Sequence, residues 1–577
     1  MKNLSKKSAP YLFMAPYFLL FIAFSLIPIL FTLYMSLNEW DGYTDIKFVG
    51  LANYQRMFEN GEFVLALKNT AIIMLLLIPL QLIFAVIIAY MINSKLVRHK
   101  EIFKTAVFTP YLVIPIAAGL LWAFFFDGGS SGTINAILMK LHIIKDPVEY
   151  LADPKLAKVV IAVIMMWRYT GYCVLFFIAG FVSVPEELFE AARVDGARAW
   201  HNFWNISLPM IKPIIIYMVI TSLIGGFQTF DEPNIIYTQG NYQTGPYSGG
   251  PDNTVMTLVM LMGKGAFQNS QYGYGSAVAY GMFVVIAVFS FISLKLMNGG
   301  IKMEQTNKVY SFILYIFLTV CSIIAIGPFY LMVIMSTYDT NALFTDLHLL
   351  PGNNFMVNIK DVFLNAGFGR YYFNSIYIAV LTTTLTVLVC AMCGYALAKF
   401  NFKLKKAAYY AILITMMLPT QLGLIAFVTE MNKIGWTDSH LSLIIPAAAN
   451  AFAVYWIRQY TVQGVPTEII ESGRMDGCTE GGIFFKLVVP FIKPALGSQA
   501  LLSFMASWNN YLLPLVLISD QKKYTVTLGL STLDALYRAN YGARIAALVI
   551  GTIPMFCIFL AFSKSLIQGI TAGSVKG

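Results

Sequence analysis

Charge is what this chain has least of. Asp, Glu, Lys and Arg together make up 12% of its 577 residues, against ~25% in soluble domains. That excludes an ordinary water-facing surface. Histidine is scarce as well: five residues, scattered, with no cluster that suggests metal binding. The six cysteines (173, 321, 390, 393, 478, 557) lie mostly in apolar stretches and provide no disulfide framework. Cys390 and Cys393 form a C-x-x-C, but within the helical run Leu381–Lys399 they read as two small apolar residues one turn apart. A G-x-x-x-x-G-K-[ST] phosphate loop is missing too. Gly263-Lys264 lacks both the first glycine and the hydroxyl residue. The chain is therefore expected to bind no ATP, Mg or other cofactor of its own. Nor do acids converge for catalysis, so it does not read as an enzyme.

What it does have is apolar length. Hydrophobic residues reach 58%, mean hydropathy is +0.69, and runs of the ~20 residues needed to cross a bilayer recur throughout. The expected fold is an all-α polytopic membrane bundle of twelve spans. Six lie near Tyr11–Leu37, Ala66–Ile92, Thr105–Phe126, Ala157–Val182, Ile206–Phe230 and Ser276–Met297. Six more lie near Val309–Ser336, Tyr372–Lys399, Ala407–Glu430, Leu441–Tyr460, Leu487–Ile518 and Ala543–Leu566. Tyr11–Leu37 is long enough to span and lacks a cleavage site, so it is not read as a signal peptide.

The net charge of +10 points to membrane sorting rather than nucleic acid, because the basic residues crowd short loops. Lys95, Arg98, Lys100 and Lys104 fill one; Lys399, Lys403, Lys405 and Lys406 fill its counterpart. Glu39–Leu65 carries only Lys47 and Arg56. Both termini are thus expected in the cytoplasm. A polar link, 298–308, separates a first half (1–297) from a second (309–577). Six spans in each imply parallel halves related by a pseudo-twofold axis along the membrane normal. Met303 reads as a former start codon, and the chain as two subunits fused.

One charged element occurs twice. Val184–Pro213 and Val465–Pro494 align at a constant offset of 281, with 12 identities in 30 positions. The identities include Glu187/Glu468, Glu190/Glu471, Arg193/Arg474, Asp195/Asp476, Gly196/Gly477 and Phe203/Phe484. Proline followed by acids reads as a helix start. Asp-Gly reads as its stop, since glycine tolerates the left-handed conformation. A second short helix, Ala199–Asn205, is expected to lead into the next span.

Glu190-Ala191-Ala192, then Gly196, Ile206 and Leu208-Pro209, resemble the EAA loop of ABC importer permeases. The second copy departs, with Glu471-Ser472-Gly473 in place of the alanines. Phe227-Gln228-Thr229-Phe230-Asp231 and Tyr272–Ala277 look like the first permease subunit of maltose-type carbohydrate importers. Ser507-Trp508-Asn509-Asn510-Tyr511 and the tail Gly569–Gly577 resemble the second. The resemblance implies a bacterial cell-membrane sugar importer with two separate ATPase subunits and an extracytoplasmic binding protein. It implies ATPase contacts at Glu187, Glu190, Ala191, Asp195, Gly196, Glu468, Glu471, Ser472, Asp476 and Gly477. It adds a tail, Lys576 and Gly577, that reaches toward the ATPase.

Polar residues within the spans outline a pathway. Arg168 lies mid-span beside Trp167 and Tyr169, where a charge faces protein or an aqueous cavity. Two readings stand: a role in the pathway, or a structural ion pair with Asp231 or Glu232. Phe227, Gln228 and Phe230 map by 281 onto Trp508, Asn509 and Tyr511, with Asn510 alongside. Aromatic faces suit sugar C–H groups and amides suit hydroxyls; an interfacial aromatic belt is the other reading. The expected mechanism is alternating access driven by a foreign ATPase. The competing functions are an ion-gradient-driven six-plus-six transporter and a membrane-embedded transferase.

Overall fold

The computed structural model describes residues 8–94, 97–130, 132–194, 197, 201–239, 246–296, 310–343, 348–365, 367–536 and 540–572. The 298–308 link, Met303, Asp195, Gly196, Lys576 and Gly577 lie outside them.

Helices account for nearly all of it. The first half runs α1 (Ala9–Ser36), α2 (Ala52–Glu59), α3 (Glu62–Asn93), α4 (Lys100–Leu112), α5 (Pro115–Phe125), α6 (Leu156–Val182), α7 (Glu186–Val194), α8 (Lys212–Phe227), α9 (Asp231–Gln239) and α10 (Tyr272–Leu296). The second runs α11 (Tyr310–Met335), α12 (Phe355–Asn365), α13 (Phe368–Lys399), α14 (Lys405–Met417), α15 (Leu424–Lys433), α16 (Leu441–Ile444), α17 (Ala451–Gly464), α18 (Thr467–Met475), α19 (Val489–Trp508), α20 (Leu512–Leu517), α21 (Val526–Leu536) and α22 (Tyr541–Ala572). A two-residue strand pair, Asn38–Glu39 with Lys47–Phe48, follows α1.

Ten helical segments among the described residues are long and apolar enough to cross a membrane, or twelve if each of two bent pairs counts as one. The bent pairs correct the straight third spans expected of each half. α4 meets α5 at 90°, and α14 meets the Thr420–Lys433 segment at 95°. Proline is the cause. Ile114 before Pro115 has ψ 144, and Leu418 before Pro419 has ψ 134. A proline ring disfavours helical geometry in the residue ahead of it.

The fourth span of the second half also differs from expectation. Where α6 is continuous, its counterpart breaks between α16 and α17 at Pro446–Asn450. Ala449, the counterpart of Arg168, has ψ 61, and the Asn450 side chain accepts from Ala453 N–H to start α17. Carbonyls exposed by the break need donors, since hydrocarbon supplies none. α13 provides them: Thr386 Oγ1 donates to Ala447 O (3.2 Å), and Cys390 Sγ contacts Ala448 O and Asn450 O (3.3 and 3.4 Å). One cysteine of the C-x-x-C thus serves the backbone of a neighbouring helix.

The chain packs as two compact units that do not coincide with the sequence halves. One takes the chain up to Met35, then 370–525, then the chain from Cys557; the other holds 36–369 and 526–556. In the first unit Phe13 of α1 meets Tyr395 (5.5 Å) and Phe484 (5.4 Å) of the second half. In the other, Trp167 Nε1 of α6 donates to Ala325 O of α11 at 3.0 Å. Each half has given its opening span to the other's unit.

Candidate functional site

The described parts of the repeated element fold alike in both places. α7 and α18 begin and end 281 residues apart. Glu186 and Glu187, or Glu468, occupy the first turn, where the positive end of the helix dipole favours acids. Glu187, Glu190, Ala191, Glu468, Glu471, Ser472, Asp476 and Gly477 are all exposed, while Ile470 and Gly473 point inward.

Gly477, at φ +75, stops α18. Its N–H donates to Arg474 O (3.1 Å) and that of Cys478 to Gly473 O (2.9 Å), a Schellman closure that uses the last free carbonyls of the helix. In the first copy Ala197 N–H donates to Ala192 O at 2.8 Å, the same bond displaced by 281. Asp195 and Gly196 themselves lie outside the described residues.

Behind each turn comes a wider, π-type helical segment, Asn202–Ser207 and Ile483–Val488. From it Phe203 packs on Tyr90 at 4.5 Å between ring centroids, and Phe484 on Tyr395 at 5.4 Å. Such aromatic pairs add about 0.5–1.5 kcal/mol beyond area burial. They root each acidic helix in the second span of its half. The sequence marked Phe203 and Phe484 only as identities. Tyr90 and Tyr395 escaped notice because the second spans repeat at 305 rather than 281; a separate offset for that segment would have found them.

An ion pair adds a further difference between the copies. Arg474 donates from Nε and Nη2 to both carboxylate oxygens of the nearly buried Glu480, at 2.8 and 3.2 Å. These bonds raise the Arg474 pKa above its ordinary value, against partial burial. Ala199 stands at the matching place in the first copy, so only the second loop carries this staple. Hydrogen bonds to charged groups contribute roughly 1.5–3 kcal/mol. Glu480→Arg or Arg474→Glu alone should therefore open the 465–480 loop to protease, and the double exchange should close it again. Unchanged cleavage in the single variants would deny the pair that role.

The pathway candidates fall into two groups, one in each unit. Arg168 Nη1 donates to Glu232 Oε1 at 2.6 Å, with the two side chains only 4% and 3% exposed. Tyr169 Oη donates to the same oxygen at 3.1 Å. Of the two partners named from sequence, Glu232 makes the direct contact; Asp231 is half-buried beside it at the start of α9. Phe227 is buried against Phe289 (5.3 Å) and Phe230 against Tyr247 (5.7 Å). Gln228 Nε2 donates to Ile224 O at 2.9 Å, closing the last turn of α8.

In the other unit Trp508 stacks on Phe504 at 5.8 Å and meets Tyr372 edge-on at 5.6 Å. Tyr511 is buried; Asn509 and Asn510 are half-buried. Asn510 Oδ1 accepts from Leu513 N–H at 3.3 Å, and Asn509 Oδ1 is buried without a hydrogen-bond partner. Both aromatic-amide groups sit at a break between helices, α8 to α9 and α19 to α20, the first at the end of the span expected over Ile206–Phe230 and the second inside the one expected over Leu487–Ile518.

The sequence family agrees with this duplication. The model named Binding-protein-dependent transport system inner membrane component matches residues 391–568. The arabinooligosaccharides transport system permease protein AraP of Bacillus subtilis is 36% identical over 305 residues, 52% of this chain and 91% of the relative. The chain belongs to this permease family. LacF, the lactose transport system permease protein of Rhizobium radiobacter, is 34% identical over 283 residues, 49% of this chain and 91% of its own length. AraQ of Bacillus subtilis is 34% identical over 275 residues, 47% and 97%. Each relative is about half as long as this chain, which fits a fused pair of permease domains. Membership in this permease family favours neither the ion-gradient transporter nor the membrane-embedded transferase. The chain is a multi-pass inner-membrane transport component, not an enzyme.

Proposed function

We propose that this chain forms the whole translocation pathway of an ATP-driven sugar importer, with 1–297 and 309–577 as its two permease domains and both termini cytoplasmic. α7 and α18 act as its coupling helices. Two separate ATPase subunits carry the ATP and Mg, and dock on Glu187, Glu190, Glu468 and Glu471 through basic residues. The tail at Lys576 and Gly577 adds to that contact. An extracytoplasmic binding protein delivers the solute.

One observation carries the proposal. An exposed acidic helix, the backbone bond that closes it and an aromatic root recur at matched positions in both halves. A loop with no outside partner has no reason to be built twice in this way. Because each helix is rooted in a span, displacing it displaces the span, so closure of an ATPase dimer would rock the halves between outward and inward openings. The residues at the two helix breaks, Phe227, Gln228, Phe230, Trp508, Asn509, Asn510 and Tyr511, with Asp231, are the proposed solute path, and Arg168 is assigned to the ion pair with Glu232. Relatives named for arabinooligosaccharide and lactose transport support a sugar or oligosaccharide as substrate.

The test is reconstitution in lipid with the ATPase and the binding protein, followed by ATPase assay over a panel of receptor-bound sugars. Hydrolysis should rise severalfold with one sugar class and remain basal with the others. Uptake that proceeds without ATP would overturn the proposal.

A further inference from the structure

α2 and α12 occupy the same place in the two halves, each just ahead of a 32-residue helix, α3 or α13. Their attachment is duplicated: the anchoring asparagines and the ring pairs stand 305 apart, and the carbonyls that the asparagines hold stand 300 apart. Asn53 Nδ2 donates to Ser36 O (3.0 Å) and Asn38 O (2.8 Å), the carbonyls that end the first span. Asn358 Nδ2 donates to Ser336 O and Tyr338 O, both at 2.9 Å. One turn further, Met57 and Val362 are buried. Phe58 meets Phe63 edge-on at 5.6 Å, and Phe363 meets Phe368 at 5.8 Å. The turn into the next helix uses Gly61 (φ +69) in one half and Gly367 (φ +64) in the other. Both helices are therefore held in one orientation.

The outward face is largely apolar on α12, whereas on α2 Leu51 and Phe58 lie beside the exposed Gln55, Arg56 and Glu59. Leu51 is 70% exposed and Phe58 59%, Met356 75% and Leu364 69%, with Val357 and Phe363 beside them. Gln55 and Lys360, themselves 305 apart, are exposed among them. The α2 face leads into exposed apolar side chains of the following helix, Val64, Leu75 and Leu80 on α3, and α13 carries Phe373, Ile376 and Val380 exposed in its own first half. At ~1.5 Å per residue a 32-residue helix is about 48 Å long, against ~30 Å of hydrocarbon and ~40–45 Å with headgroups. The starts of α3 and α13, with the helices clamped to them, thus reach headgroup level.

We propose that α2 and α12 are a pair of interfacial anchors that lie at the boundary of headgroups and acyl chains and set the depth of each half in the bilayer. The occupant of their apolar faces is the lipid surface. Amphipathic helices lie in this zone with the apolar side down, and a long side chain such as that of Lys360 can keep its charge in water while its stem lies on lipid. Continuity with the exposed faces of the spans argues for lipid over a protein partner, which would have to meet acyl chains along the same edge.

The test places single spin labels at Phe58→Cys and Phe363→Cys in chains carrying Cys478→Ser and Cys557→Ser, in lipid nanodiscs. Native Cys478 labelled alone serves as the water reference. Collisions with oxygen relative to a nickel chelate should be severalfold higher at both anchor positions than at Cys478, and should not change when the binding protein is added. Carbene photolabelling of the unsubstituted chain from the lipid phase should mark peptides spanning 349–365, a readout independent of any substitution. Chelate access equal to that of Cys478, or protection that appears only with the binding protein, would overturn the proposal.

Discussion

Reversing Glu190 and Glu471 together to lysine is expected to abolish copurification of the ATPase and sugar uptake while leaving the permease folded. Both carboxylates are exposed, and surface substitutions usually change stability by no more than about 0.5 kcal/mol. At the proposed dock each reversal replaces attraction with repulsion. Losing one partner of a buried charge pair at an interface costs about 2–5 kcal/mol, so each site should lose roughly 30-fold or more in affinity. Either reversal alone should weaken the complex without removing it. Pull-down of the ATPase with uptake measured in parallel decides the matter, and a doubly reversed chain that still holds the ATPase and transports would remove the basis for coupling at these loops.

Glu232→Gln should be the most destabilising single change, because it takes from the buried Arg168 guanidinium the carboxylate it is hydrogen-bonded to. Breaking a buried pair from one side costs about 3–5 kcal/mol, whereas replacing both partners with apolar residues is often neutral. The single variant should therefore lose folded, monodisperse protein on heating, and Arg168→Met with Glu232→Met should recover it. With both side chains almost inaccessible, the double variant should also transport. Thermal stability and uptake measured together separate the two readings of Arg168. A stable double variant that binds ATPase but no longer transports would make Arg168 part of the solute path.

Much of the membrane architecture was legible because the relevant physics is local. A span needs ~20 apolar residues wherever it lies, so helix existence was clear even where ends moved by several residues. The bends in the third spans were legible in principle, since Pro115 and Pro419 were in view, but a hydropathy window averages over them. The break at Pro446–Asn450 was harder. It persists because Thr386 and Cys390, about 60 residues earlier, satisfy its carbonyls, and nothing near Pro446 announces that. Among the site candidates the acidic helices were legible through the repeat. Their aromatic roots were not, because Tyr90 and Tyr395 follow a different offset.

The sequence by itself determined that the chain crosses a membrane many times, that one acidic helix with a glycine stop is present twice, and which family it belongs to. Run length, proline geometry and backbone sterics act within a few residues, and repetition needs no structure to be counted. Tertiary structure decided that Arg168 pairs with Glu232, that α1 packs with the second half's spans while α11 packs with the first half's, and that Asn53 and Asn358 fix two short helices against the chain that precedes them. Apolar surfaces carry little directional information of their own. Which of them meet is settled by a few hydrogen bonds and ring contacts between residues far apart in the chain.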